Sequence, residues 1–229
     1  RALKLRSNQE YCDLVGNVNT LGFKSFKCAP FEKVAKSSNA EDSSKDGLQT
    51  LKVLRNAFPD LGMRVDFHER FSPTNFFTIL PELESLKLDW IEEPFSMGED
   101  YSELKTKTQI PIAGGELYWG SEDFINIMNR KWVDVIMPDV KHIGGFGPLL
   151  NVLKLTKGQI VVSPHNPSGP ISSVASLHAT ALYPESVLSL EYAFDRSGSR
   201  KIYGEYVDNG YLYLNDKPGW GINLEVVPN

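Results

Sequence analysis

Six acidic or imidazole side chains recur along this chain at a nearly constant interval. Asp66, Glu92, Glu116, Asp139, His165 and Glu191 follow one another at separations of 26, 24, 23, 26 and 26 residues. Each stands at or just past a short run rich in branched apolar residues, at 63–67, 88–91, 110–113, 133–137, 160–163 and 187–190, and a further run lies at 23–28. Several runs are apolar almost throughout, as Ile160, Val161 and Val162 are, which predicts parallel strands buried on both faces. Helical spacing fills the intervals. Leu48, Leu51, Leu54 and Phe58 line one face behind the cap-capable Asp42, Ser43 and Ser44. Ser72 before Pro73, and Ser121 before Glu122 and Asp123, mark two further helix starts.

Strand and helix in alternation imply a parallel sheet, closed as a barrel or open and doubly wound. An open sheet serves its ligand from a few strand ends, whereas a barrel gathers every carboxyl end around one mouth. Six polar groups in series favour the barrel. The fold expected is α/β, a (β/α)7β TIM-like barrel spanning 1–229 as one domain. Seven strands are legible where eight are needed, and 1–20 reads as a helix before the run at 23–28, so the first strand is expected upstream. A barrel with unpaired edges is then expected to need that upstream sequence for stability.

A net charge of −5 with scattered Lys and Arg lacks the footprint of a nucleic-acid binder. No apolar run approaches the roughly 18 residues of a membrane span. Cys12 and Cys28 form neither a disulfide framework nor a CxxC metal motif, so a soluble, cytoplasmic protein is expected.

Three carboxylates on successive strands, Asp66, Glu92 and Glu116, would raise one another's pKa unless a cation sat among them. Oxygen-only ligands favour magnesium. Asp139 and His165 end neighbouring strands, and a carboxylate beside an imidazole fixes its tautomer and raises its basicity, as a general base requires. His68 lies two residues after Asp66, on the same side if the pleat continues, and is a candidate acid. Lys27 at the end of the first run is a candidate cation for a substrate carboxylate. His142 and His178 read as structural, and Gly144, Gly145 and Gly147 as a turn into a helix rather than a phosphate loop.

Lys27, Val65-Asp66-Phe67-His68, Trp90-Ile91-Glu92-Glu93-Pro94, Gly114-Gly115-Glu116, Met137-Pro138-Asp139 and Pro164-His165-Asn166 together resemble the enolase superfamily, specifically its mandelate racemase subgroup, over 22–221. The resemblance implies Asp66, Glu92 and Glu116 as Mg2+ ligands and the His165 and Asp139 pair as base. It also implies Glu191 as the last-strand acid that hydrogen-bonds the enolate oxygen. Members pair a Lys or His base with magnesium that stabilises an ene-diolate. A separate N-terminal capping domain also belongs to the superfamily, and nothing here resembles it.

Racemases of this subgroup carry a Lys-x-Lys pair where this chain has Lys27 and Ala29. Loss of the second lysine argues for one-base chemistry, and Asp66 with His68 is similar to the arrangement in galactonate-type sugar acid dehydratases. The function implied is a hydro-lyase of an aldonic acid. His165 takes the C2 proton, His68 serves the departing C3 hydroxyl, and a 2-keto-3-deoxy acid forms. The alternatives are a racemase, epimerase or cycloisomerase of the same superfamily, or an inactive sugar-acid-binding member. The expected partners are a small sugar acid and, as homo-oligomer, further copies of the chain, with neither nucleic acid nor membrane.

Overall fold

The structure is a computed structural model that describes residues 6–35, 40–193 and 205–222. Two compact units divide the chain, residues 1–114 and 115–229.

The first unit opens with α1 (Asn8–Thr20), whose start is closed by a reciprocal cap: Ser7 Oγ accepts the Glu10 N–H and Glu10 accepts the Ser7 N–H. Then follow β1 (Ser25–Cys28), α2 (Ala40–Ala57), β2 (Gly62–Asp66), α3 (Pro73–Glu84), β3 (Trp90–Glu92), α4 (Ser102–Lys107) and β4 (Ile112–Gly114). Strands β1 to β4 pair in parallel in chain order. The register sets Asp66 beside Glu92, so those two ends are level, and Lys27 beside Arg64, two residues short of Asp66. β3 and β4 are buried at every position, whereas β1 alternates. Helix α2 buries Leu48, Leu51 and Leu54, the stripe its spacing predicts. Helix α3 begins where expected, with Ser72 Oγ accepting the Asn75 N–H and Pro73 in the first turn.

Beneath the ends of β2 and β3 lies an aromatic core. Phe67 packs against Phe31 at 4.8 Å, Phe76 at 5.1 Å and Phe71 at 5.7 Å between ring centroids. At Gly62 a Cβ would come within 2.2 Å of the Asp89 carboxylate and 2.8 Å of Ser25 Cβ, so the close approach of β1 to β2 admits no side chain there.

The second unit contains α5 (Ser121–Arg130), β5 (Val135–Ile136), α6 (Phe146–Thr156), β6 (Val161–Val162), α7 (Pro170–Thr180), β7 (Tyr206–Asp208) and β8 (Tyr211–Tyr213). β5 and β6 pair in parallel. The run at 187–190 contributes a single parallel bridge, Val187 to Val162, rather than a full strand. Burial on both faces holds for β5 but not β6, which alternates with Val161 facing outward at 42% exposure. Ser121 opens α5 as its first residue, the cap position being Gly120, and Gly144 and Gly145, both at positive φ, turn into α6 as expected. The antiparallel hairpin β7–β8 turns on Asn209 and Gly210 at φ 46° and 78°, the mirror-image turn whose twist suits paired strands.

Candidate active site

In the first unit, Lys27, Asp66, His68 and Glu92 converge. Asp66 and Glu92 are buried at the ends of adjacent strands. Lys27 Nζ reaches both, 2.6 Å from Glu92 Oε1 and 3.5 Å from Asp66 Oδ2. The Trp90 indole N–H donates to Glu92 Oε2 at 3.0 Å. Two buried carboxylates side by side require a positive charge, which Lys27 supplies here and which an oxygen-seeking divalent cation fits equally.

His68 reaches Asp66 by a route other than continued pleating. Strand β2 stops at Asp66, whose Oδ1 accepts the His68 N–H at 2.9 Å, and His68 and Glu69 both adopt left-handed backbone at φ 48° and 53°. This turn folds the ring back, with Nε2 3.0 Å from Asp66 Oδ2 and Nδ1 2.6 Å from Glu32 Oε1. The hydrogen bond to Asp66 is the main influence on the imidazole. Burial opposes it, but the charges of Asp66 and Glu32 help push the pKa to about 9. Burial raises the Asp66 carboxyl, yet the hydrogen bond from His68 and the charge of Lys27 outweigh it and hold the group below the usual range.

In the second unit, Glu116, Asp139, His165 and Glu191 converge. Asp139 is fully buried. Its Oδ1 accepts the Lys141 N–H at 2.7 Å, and its Oδ2 lies 2.8 Å from His165 Nδ1. A carboxylate only accepts, so the buried aspartate holds Nδ1–H in place and Nε2 is the nitrogen left to exchange a proton. That Nε2 stands 3.0 Å from Glu116 Oε2 and 3.9 Å from Glu191 Oε2. Burial pulls the His165 pKa down, but the hydrogen bonds to Asp139 and Glu116 and the charge of Glu191 prevail and push it to about 10. Asp139 is affected first by burial, which raises it, and is nevertheless held below the usual carboxylate range by His165 and the Lys141 N–H. Glu191 is fixed by the Asn166 N–H at 2.8 Å, and Asn166 Nδ2 donates to the Glu191 carbonyl at 3.0 Å and to Ser173 Oγ at 2.9 Å.

Three contributors were not legible from sequence. Glu32 holds His68, and Arg70 Nη2 donates to its other oxygen. His142, read as structural, donates Nδ1–H to the Glu116 carbonyl at 2.8 Å and lies beside the His165 ring at 6.2 Å between centroids. Lys141 places Nζ 3.3 Å from Asp139 Oδ2. Asp139, His142 and His165 each offer a ligand atom within 4.8 Å of the others, a mixed set suited to a softer ion than magnesium, but Asp139 and His165 are already committed to one another. His178 packs its ring edge-on against Trp220.

The first unit thus carries a strand-end carboxylate pair bridged by lysine, chemistry suited to a cation, and the second unit a buried Asp–His pair flanked by two glutamates, chemistry suited to proton transfer, both on an α/β fold. Residues 10–226 match the enolase C-terminal domain-like family, and the chain belongs to it. It is 28% identical over 218 residues to a D-galactonate dehydratase of Verminephrobacter eiseniae (strain EF01-2), covering 89% of this chain and 56% of that protein. Among solved structures it resembles a mandelate racemase/muconate lactonizing enzyme-like protein of Rubrobacter xylanophilus DSM 9941. The TM-score is 0.84 at 25% identity, over 95% of this chain and 59% of that one. An enolase of Pantoea ananatis with bound D-gluconate and Mg gives a TM-score of 0.79 at 22% identity, over 95% and 61%. The expected fold class, an enolase-type α/β barrel, is therefore the right one, and the chain spans a little over half the length of these relatives. No helix among the described residues is long and apolar enough to cross a membrane.

Proposed function

We propose that this protein is a magnesium-dependent dehydratase of sugar acids, acting on an aldonic acid to give a 2-keto-3-deoxy acid. The observation that carries the reading is the His165–Asp139 pair at 2.8 Å, with Nδ1 committed to the buried aspartate and Nε2 left as the proton-exchanging nitrogen. The similarity to a D-galactonate dehydratase points to the substrate class.

Asp66, Glu92 and Glu116 form the proposed ligand set, an all-oxygen group chemically suited to Mg2+. When bound, the cation would supply a Lewis acid that draws charge from the substrate carboxylate as the neighbouring C–H bond weakens. Lys27 adds a fixed ammonium for that carboxylate. His165 Nε2 removes the C2 proton, and Glu191, held by the Asn166 N–H, is the acid placed to hydrogen-bond the enolate oxygen. His68 protonates the C3 hydroxyl as it leaves as water. With Ala29 in place of a second lysine, His165 and His68 take the acid–base roles in this reading.

Incubation of the protein and Mg2+ with a panel of aldonic acids, assayed for 2-keto acid, is expected to show turnover on at least one. Replacing His165 by Asn is expected to remove about 10²–10⁴-fold of that rate, the usual worth of a positioned general base. Loss of C2 hydrogen to solvent without loss of water would favour an epimerase instead. No turnover across the panel would overturn the proposal.

A further inference from the structure

We infer that Glu32 is a positioning residue for His68, doing for the elimination step what Asp139 does for proton abstraction; the inference rests on the dehydratase reading. The two imidazoles share one chemical arrangement. His165 has a carboxylate on Nδ1 at 2.8 Å and a second facing Nε2 at 3.0 Å. His68 has Glu32 on Nδ1 at 2.6 Å and Asp66 facing Nε2 at 3.0 Å. A carboxylate only accepts, so Glu32 anchors the ring through Nδ1–H and turns Nε2 to the opposite side, towards Asp66.

His68 needs such a partner more than His165 does. Its side chain is 43% exposed, and it sits on two consecutive left-handed residues just past the end of β2, where packing alone would not fix a ring. Glu32 is better held. Its side chain is 19% exposed, and its second oxygen receives Arg70 Nη2. The turn carrying His68 is pinned from the other side, with the Glu69 N–H donating to the Glu93 carbonyl at 2.8 Å and Glu69 Oε1 accepting the Met97 N–H at 2.8 Å. Arg70, Glu32 and His68 therefore form a chain that aims Nε2 along one direction, from a residue 36 positions earlier in sequence.

Glu32→Gln tests this, because the amide preserves size but can leave the wrong tautomer on His68. The measurement pairs 2-keto acid formation with exchange of the substrate C2 hydrogen in heavy water, which reports His165 alone. The variant is expected to lose about 10-fold or more in kcat for elimination, with KM little changed and C2 exchange retained, so that exchange outruns product. Glu32→Asp should recover part of the loss, and Arg70→Met, which removes the anchor without touching His68, should lower elimination in the same selective way. Unimpaired elimination in Glu32→Gln, or parallel loss of exchange and elimination, overturns the inference while the dehydratase reading stands. A wild-type protein that dehydrates no sugar acid fails that reading and this inference with it.

Discussion

Lys27 is held between two acids of the first unit's cluster. Its ammonium faces two buried carboxylates, and removing one partner of a buried ion pair leaves an uncompensated charge at a cost of about 3–5 kcal/mol. Lys27→Met is therefore expected to destabilise the metal-free protein by about 3 kcal/mol in urea unfolding. Saturating Mg2+, by supplying the missing positive charge, should restore most of it, and an equal loss with and without Mg2+ would contradict this account. At this scale the sequence was legible wherever chemistry sits at a strand end, as with Asp66 and Glu92. His68 was found by its spacing from Asp66, although a left-handed turn rather than a continued pleat brings it there. Glu32 and His142 were not legible, because their partners lie 36 and 26 residues away and are met only through the fold.

The aromatic core is the element-level support of the same cluster. Phe67 stands between Asp66 and His68 in sequence and points the other way, fully buried among Phe31, Phe71 and Phe76. Truncating such a ring loses its transfer energy and leaves a cavity, so Phe67→Ala is expected to cost about 3–5 kcal/mol, read from the urea midpoint. A loss below about 1 kcal/mol would show that the core collapses around the gap. Helix starts were unevenly marked in sequence: Ser72 with Pro73 combines two independent physical preferences and opens α3, whereas α2 begins at Ala40, ahead of Asp42, Ser43 and Ser44, and Gly120 rather than Ser121 holds the cap position of α5. Strand lengths were not. The run at 133–137 yields only two paired residues, and 187–190 a single bridge, because apolar content measures burial whereas pairing depends on register. The β7–β8 hairpin is signalled by Asn209-Gly210 between aromatic residues, a local cue independent of the period of the parallel runs.

For the molecule as a whole, family membership and the α/β repeat agree on the fold, and the proposed cation links fold to function. Any ligand that binds only the folded state stabilises it, by about 2.7 kcal/mol at a concentration 100 times its Kd. Mg2+ is accordingly expected to raise Tm in a concentration-dependent way, EDTA to reverse the rise, and Glu92→Gln to abolish it. An unchanged Tm across the titration would speak against a resident divalent ion. The periodicity of the strand-end groups was enough to identify this architecture, because a repeated supersecondary unit writes its period into the chain wherever each repeat presents a residue at the same rim.

In each unit one imidazole is backed by its own acid on Nδ1, His165 by Asp139 and His68 by Glu32. A ring held from behind offers its outer nitrogen and little else, so which reagent it meets is decided by the anchoring acid rather than by the imidazole. In the proposed chemistry, exchanging the backing carboxylate re-aims the ring and changes the reaction outcome while both histidines stay in place.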